Sequence, residues 1–296
     1  MSKGFTPDLL DRFRREGRGQ GTYVRYVPWH RVRRADPSSH GRSHLMAWNG
    51  RHIELLSDLE WVGAFFAKLM PNVKDVREQF PLSLETGSHE LADYDVRAGG
   101  RRLPGTLAIA KELRIRHPRV NGDGRSAPWV MSTDLLLAVG DSAGQIRLIA
   151  ISCKYPNELT VRRSAEKLQI ERAYWRARDV EFLVFSPSLY DEATGLTLRR
   201  SFPWIHVDFV GTEVVAETKR IAMRHGGEPI VATIERLDSR FGGEEMGNKA
   251  FWQSVWCGAL PLDLRRSWRP HLPTNYLDAS RMRDLNPIVC GRSSWN

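Results

Sequence analysis

Residues 126–155 read as two strands joined back to back, and no other stretch restricts the possible folds of this chain so much. Residues 129–139 are rich in Val, Leu, Met and Trp, residues 140–144 are the turn-forming run Gly-Asp-Ser-Ala-Gly, and residues 145–154 are again rich in Ile and Leu. Apolar, β-prone runs on either side of such a turn signal a hairpin. Asp134 lies within the first strand, and Ser152 and Lys154 lie two residues apart at the end of the second. Strand side chains alternate, so Ser152 and Lys154 are predicted to share a face. If pairing brings Asp134 there too, a carboxylate and an ammonium meet at a sheet end, where a metal, a phosphate and a water could be held together. The plainer alternative is a cross-strand ion pair worth about 0.2–1 kcal/mol.

The chain before the hairpin begins with a basic, turn-rich stretch. Arg12, Arg14, Arg15, Arg18, Arg25, Arg31, Arg33, Arg34 and Arg42 alternate with Gly17, Gly19, Gly21, Pro28 and Pro37, and Phe13, Tyr23, Tyr26 and Trp29 are interleaved. Such a mixture can follow a nucleic-acid backbone by charge and stacking, or it can be an arm or a peripheral strand. At Ser57 the pattern turns helical: Glu60, three residues on, completes a capping box, and Leu59, Val62, Phe65, Phe66 and Leu69 recur at helical spacing until Pro71. Glu60 therefore has a structural reading of its own. Residues 73–84 read as a strand with Pro81 at an edge or bulge, and residues 107–115 as a short helix broken at His117-Pro118. His117 reads as structural, since no second His or Cys lies at ligand spacing. Asn121-Gly122-Asp123-Gly124 lacks the lysine-serine ending of a phosphate loop and marks no nucleotide site.

After the hairpin, residues 161–178 form a strong helix with Ala165, Leu168, Ala173 and Trp175 on its apolar face. Glu171 and Arg172 read as surface or interhelical contacts, a positioning role for Glu171 being the lesser alternative. Residues 180–185 supply another short strand before Ser186-Pro187. One mixed sheet with helices on its faces accounts for this order. Beyond it, residues 213–224, 229–241 and 248–260 read as three capped helices, a small helical or winged-helix-like domain. The last stretch, from residue 262, carries Arg265, Arg266, Arg269, Arg281 and Arg283 and reads as an extended basic arm.

Composition enters at this point. A chain of 296 residues with 41% hydrophobic residues can bury the core of two domains, and a net charge of +9, mostly from arginine, suits a phosphate-rich partner. Cys153, Cys257 and Cys290 are too few and too scattered for a disulfide framework or a zinc knuckle. The charged start lacks the apolar core of a secretion signal, and no run of about eighteen apolar residues occurs, so no membrane segment is expected and a cytoplasmic location is. The expected organisation is a basic N-terminal segment over residues 1–50, a catalytic domain over 51–188, and a helical domain with a basic tail over 189–296.

Glu60, Asp134 and Lys154 then make one constellation. Two carboxylates can hold an oxygen-seeking metal such as magnesium, with manganese able to substitute. The metal would polarise a scissile phosphate and acidify a bound water, and the lysine would offset the charge that builds up on the phosphate. An Asp, about twenty residues of hairpin, then a polar residue, a spacer and a Lys resembles the PD-(D/E)xK pattern of the restriction-endonuclease-like fold. Gly17-Arg18-Gly19-Gln20-Gly21 before Tyr26-Val27-Pro28-Trp29, Leu56-Ser57-Asp58-Leu59-Glu60, Val76-Arg77-Glu78-Gln79-Phe80-Pro81-Leu82, His117-Pro118, Met131-Ser132-Thr133-Asp134 and the run from Lys167 to Trp175 together resemble the TnsA family.

The resemblance spans residues 15–185 in order. It implies an endonuclease subunit of a heteromeric bacterial transposase that cuts the non-transferred strand at the 5′ ends of a transposon, beside a DDE transposase, TnsB. It assigns Glu60 and Asp134 to metal binding and Lys154 to catalysis, and it implies that the C-terminal domain contacts TnsC, the ATPase regulator. Ser152 stands where the nuclease pattern has an acid and TnsA proteins a glutamine; as a catalytic or metal position it offers only a hydroxyl, a backbone carbonyl or a water. A free-standing restriction-like nuclease and a decayed nuclease fold acting as a DNA-binding or assembly module are the alternatives.

Overall fold

The computed structural model describes residues 4–33, 36, 42–122, 124–206, 208–243, 245–267 and 269–295; Arg34, Pro37 and Asp123, singled out above, lie outside the described residues. The described chain divides into two compact units, one from within 1–64, 72–186 and 293–295, the other from within 65–71 and 187–292.

The first unit begins with α1 (Pro7–Arg15). The Thr6 hydroxyl accepts from the Leu9 N–H and Pro7 occupies the first helical position, so the helix starts with its orphan donors partly met. It buries Leu10 and Phe13 in a cluster with Trp29, Val120 and Val130. The Arg18 guanidinium lies 3.7 Å over the Phe13 ring and pairs with Asp36. Residues 4–33 are thus not a segment apart from the unit that follows, which differs from the sequence expectation for residues 1–50: apolar side chains interleaved among the arginines pack them into the first unit. The boundary at residue 50 also falls inside a hairpin, β1 (His44–Trp48) with β2 (Arg51–Leu55), whose Asn49-Gly50 turn has φ of 43° and 86°.

α2 (Asp58–Lys68) follows, then β3 (Val73–Pro81), α3 (Thr106–Glu112), a small hairpin of β4 (Arg119–Gly122) and β5 (Arg125–Pro128), β6 (Ser132–Gly140), β7 (Ile146–Cys153), α4 (Pro156–Thr160), α5 (Arg162–Arg176) and β8 (Glu181–Phe185). The main sheet has the order β3-β6-β7-β8, antiparallel except for the parallel β7–β8 pair. It is the mixed α/β sheet expected, and α5 supplies the crossover that a parallel pair requires. Leu136, Ala138, Leu148 and Ala150 on one sheet face pack with Ile109 of α3 and Ile170, Tyr174 and Trp175 of α5. At the β8 edge the Ser294 N–H donates to the Val184 carbonyl at 2.9 Å, so part of the C-terminal stretch belongs to this unit.

The second unit is mainly helical: α6 (Glu192–Ser201), α7 (Thr212–Arg224), α8 (Ile230–Phe241), α9 (Met246–Trp256) and α10 (Ala279–Asp284). Gly242, with φ of 74°, ends α8 in the left-handed cap expected of a glycine there. α8 and α9 approach so closely that a Cβ on Gly247 would lie 2.3 Å from the Ile234 carbonyl. β structure among the described residues of this unit is limited to isolated bridges, Pro229 to Pro273 and Leu262 to Tyr276. The final stretch is not an extended arm: Leu262, Leu264 and Ile288 are buried, and Asn286 Nδ2 donates to the Phe66 carbonyl. Among the described residues no helix is long and apolar enough to cross a membrane.

Candidate active site

Glu60 stands in the first turn of α2. Its N–H donates to Ser57 Oγ at 3.1 Å, the Ser57 hydroxyl donates back to Glu60 Oε1 at 3.1 Å, and the Leu56 N–H donates to Oε2 at 2.8 Å. The capping role read from the sequence is present. The carboxylate also accepts from Gln79 Nε2 at 3.0 Å, and the same amide nitrogen reaches Asp134 Oδ1 at 3.5 Å. One donor on β3 therefore spans an acid on α2 and an acid on β6.

The strand geometry that allows this is irregular. Gln79 has φ of 49°, a left-handed backbone unusual for a non-glycine residue. Glu78 pairs with Leu135 and Phe80 with Thr133 on either side of it. Strict alternation would put Thr133 and Leu135 on one face. Instead Leu135 lies against Gly63 of α2, while the Thr133 hydroxyl donates to Glu171 at 2.7 Å and accepts from Trp175 Nε1, both on α5. The two strands switch phase together at Gln79 and Asp134, which frees these two side chains to meet Glu60.

Asp134 Oδ2 accepts from the Cys153 N–H at 2.7 Å and from Lys154 Nζ at 3.0 Å. Lys154 also donates to the Cys153 carbonyl at 2.9 Å, and its own N–H is tied to the Phe185 carbonyl. Glu60, Asp134 and Lys154 are thus brought together as the sequence proposed, with Asp134 and Lys154 partly open to solvent. Ser152 is not part of that grouping. Fully buried, it donates from its hydroxyl to Glu171 Oε2 at 3.3 Å. Ser152 lies within β7 and turns to Glu171, whereas Lys154, one residue past the end of β7, reaches Asp134.

Glu171, read from the sequence as a surface or interhelical contact, is buried and joins the floor of the site through Thr133 and Ser152. Its spacing from Leu168 and Trp175 was the available signal, since three and four residues along a helix share a face. Gln79 carried no comparable signal, because a left-handed residue within a strand cannot be read from its neighbours.

The electrostatics follow from burial and convergence. Burial, then the neighbouring Asp134 charge, pushes Glu60 up to about 8 against the opposing Leu56 N–H and Lys154. Burial works against the charged form of Lys154, yet the Asp134 and Glu171 carboxylates hold it above the usual lysine range. Burial lifts Glu171 to about 7, opposed by Lys154. Burial also raises the Cys153 thiol, which keeps it protonated and inert. His117 is structural, as its spacing suggested. Pro118 O can only accept, so Nδ1 at 2.9 Å donates to it and the neutral ring accepts from Thr106 at Nε2.

Among the described residues no three His, Cys, Asp or Glu side chains form a ready-made metal cluster. The donor chemistry nonetheless fits one hard cation that keeps most of its waters and takes one or two carboxylates. Glu60 and Asp134 supply those carboxylates, which lie close enough for a single amide nitrogen to reach both. A cation, a phosphate and Lys154 could then be gathered around Asp134.

Residues 70–186 match the family described as TnsA-like endonuclease N terminal, a span that contains Asp134, Lys154 and Glu171 and begins after Glu60. The Transposon Tn7 transposition protein TnsA of Escherichia coli is 31% identical over 227 residues, which cover 75% of this chain and 71% of that protein.

Proposed function

The chain belongs to the TnsA family of transposition endonucleases, and from that premise we propose that it is the magnesium-dependent DNA endonuclease subunit of a heteromeric transposase. It cuts the non-transferred strand at the 5′ ends of a transposon, while a separate DDE transposase of the TnsB type cuts and joins the 3′ ends. The observation that carries this reading is the meeting of Glu60, Asp134 and Lys154 from three separate elements, spanned by Gln79.

Glu60 and Asp134 would hold the metal, with manganese able to replace magnesium. A metal held there would supply Lewis acidity to the scissile phosphate and to the attacking water. The rest falls to the chain itself. Lys154, kept protonated by two acids, offsets the negative charge that develops on the phosphate. Ser57 and the Leu56 N–H fix the orientation of Glu60, so its carboxylate needs little reorganisation. Glu171 holds Thr133 and Ser152 and so braces the strands on either side of Asp134 and Lys154. Its negative charge near Lys154 substitutes for the acid that the nuclease pattern expects at position 152.

The unit built from residues 187–292 is the surface for a TnsC-type ATPase regulator, as the family resemblance implies, and the cell compartment is the cytoplasm. The test is cleavage of a transposon-end duplex with magnesium or manganese, with and without the cognate TnsB-type transposase, comparing the natural chain with Asp134→Ala. A 5′-strand cut that needs the partner and disappears in the variant supports the proposal. A cut made without the partner points to a free-standing nuclease. Assembly without any cut points to a nuclease fold retained as a scaffold, the reading that the absence of an acid at Ser152 favours.

A further inference from the structure

On α5, Glu171, Lys167 and Arg163 are spaced four residues apart, so they form one line along the helix. The line starts at the floor of the active site and runs toward the helix N-terminus. Arg163 ends it at the wall of a shallow recess of about 410 Å³ that is also lined by Arg116, His117, Arg119, Asn121 and Glu166. The one acid in this lining, Glu166, is held by Arg162 and Arg163 at 3.0 and 2.8 Å. Arg119 on β4 is braced across the small hairpin by bonds from its guanidinium to Ser126 Oγ and O at 2.9 and 3.2 Å. His117, neutral and bonded to Pro118 and Thr106, contributes no negative charge. Lys167 stands near both ends of this line: burial, then Lys154 and Arg163, depress it, and burial, then Arg163 and Arg119, depress His117 against its bond to Pro118.

We propose that this recess, with Lys167 as its link to the active site, is a binding track for the phosphate backbone of the DNA flanking the scissile phosphate. It rests on the endonuclease reading above. From Glu171 to Arg163 the helix rises about 12 Å, roughly the axial span of three to four nucleotides of one strand. A strand whose scissile phosphate lies at Lys154 would therefore bring a phosphate a few nucleotides away over Arg163, Arg119 and Arg116. Guanidinium groups presented in a shallow, open recess suit phosphates read by position rather than bases read by sequence.

The experiment uses the full chain with a transposon-end duplex and compares the natural protein with Arg119→Ala/Arg163→Ala, Arg119→Lys and Asp134→Ala. DNA affinity is measured by fluorescence anisotropy over a range of salt concentrations in calcium, and strand cleavage is measured with magnesium and the partner transposase. The double variant is expected to flatten the slope of log affinity against log salt by about two, at ~0.9 for each phosphate no longer neutralised. Arg119→Lys keeps the charge and is expected to keep the slope, which separates weaker phosphate neutralisation from a disturbed hairpin. A double variant with the natural slope and affinity overturns the track, even if Asp134→Ala abolishes cutting and the nuclease reading stands. Cutting that persists in Asp134→Ala sinks the nuclease reading, and the salt slope then still reports on the track alone.

Discussion

Gln79 has a left-handed backbone and a single amide nitrogen that serves two acids. Two effects at this one residue can be separated by substitution. Gln79→Ala removes hydrogen bonds to the Glu60 and Asp134 carboxyl groups, worth on the order of 0.5–1.5 kcal/mol each, and leaves the unfavourable φ in place. Gln79→Gly removes the same bonds but tolerates the φ, so it is expected to recover up to about 1 kcal/mol of that loss in urea unfolding at pH 7. Equal losses in both variants would mean that the backbone at residue 79 carries no strain. Glu60 permits a prediction about pH. Its folded pKa, about 8, lies above its unfolded value of about 4.5. The folded chain thus binds more protons in between, and stability falls as pH rises from about 4.5 through 8. Glu171, raised to about 7, adds to the same trend. In chelator the melting temperature is expected to fall over this window, with a shallower fall in Glu60→Gln. Added magnesium is expected to raise the melting temperature most at the alkaline end, where the carboxylate is free to bind it. A pH-independent magnesium effect would remove Glu60 from the metal site.

At the scale of elements, α1 and the turns after it decide whether the N-terminal stretch is an arm or part of the catalytic unit. Phe13 is fully buried, edge-on to Trp29 and under the Arg18 guanidinium. Phe13→Ala is expected to cost about 3–5 kcal/mol in chemical denaturation, whereas a residue on an arm would cost less than about 0.5 kcal/mol. His30 belongs to the same packing, with its ring stacked on Trp129 and edges of Phe5 and Phe13 against it. Burial lowers its pKa to about 4, below the 6.5 of a free histidine. The unfolded chain then binds the extra proton, so this contribution is full above pH 6.5 and is lost as pH falls toward 4. His30→Phe is expected to reduce the acid sensitivity of unfolding between those limits. The β6–β7 hairpin was legible because long apolar runs flanked an unmistakable turn. β1 and β2 were not, although Asn49-Gly50 is a strong hairpin turn, because His44, Arg51, His52 and Glu54 obscure the alternation. Glu60, Asp134 and Lys154 could be picked out by residue type and spacing. The bond from Ser152 to Glu171 could not, since it depends on how α5 packs over β7, a contact between residues far apart in the chain.

For the whole molecule, where the arginines lie matters more than how many there are. The net charge of +9 points to a phosphate-rich partner, but several arginines are internal. Arg18, Arg77 and Arg178 are at most 3% exposed. Arg18 pairs with Asp36, Arg77 with Asp93, and Arg178 with Glu90. Each acts as a fork between carboxylates, carbonyls and rings and has no surface to offer DNA. The long-range packing that creates the two units was equally hidden: residues 65–71 join the second unit and residues 293–295 the first, although the chain between them divides after Ser186, close to the Ser186-Pro187 break. Charge alone therefore predicts similar consequences for any Arg substitution, and position predicts two opposite classes. Arg178→Lys keeps the charge but loses the paired bonds from Nε to Glu90 and those from Nη1 to the Pro104 and Tyr174 carbonyls. Leaving Glu90 and these carbonyls poorly paired is expected to cost about 2–4 kcal/mol of stability while the salt dependence of DNA binding stays at the natural slope. Arg163→Ala, half-buried at the recess, is expected to change stability by less than about 1 kcal/mol and to lower that slope by about one. Unfolding curves and salt titrations on these two variants separate the classes. If Arg163→Ala instead leaves the salt slope at the natural value, as Arg178→Lys is expected to, Arg163 neutralises no phosphate and its position at the recess carries no DNA contact.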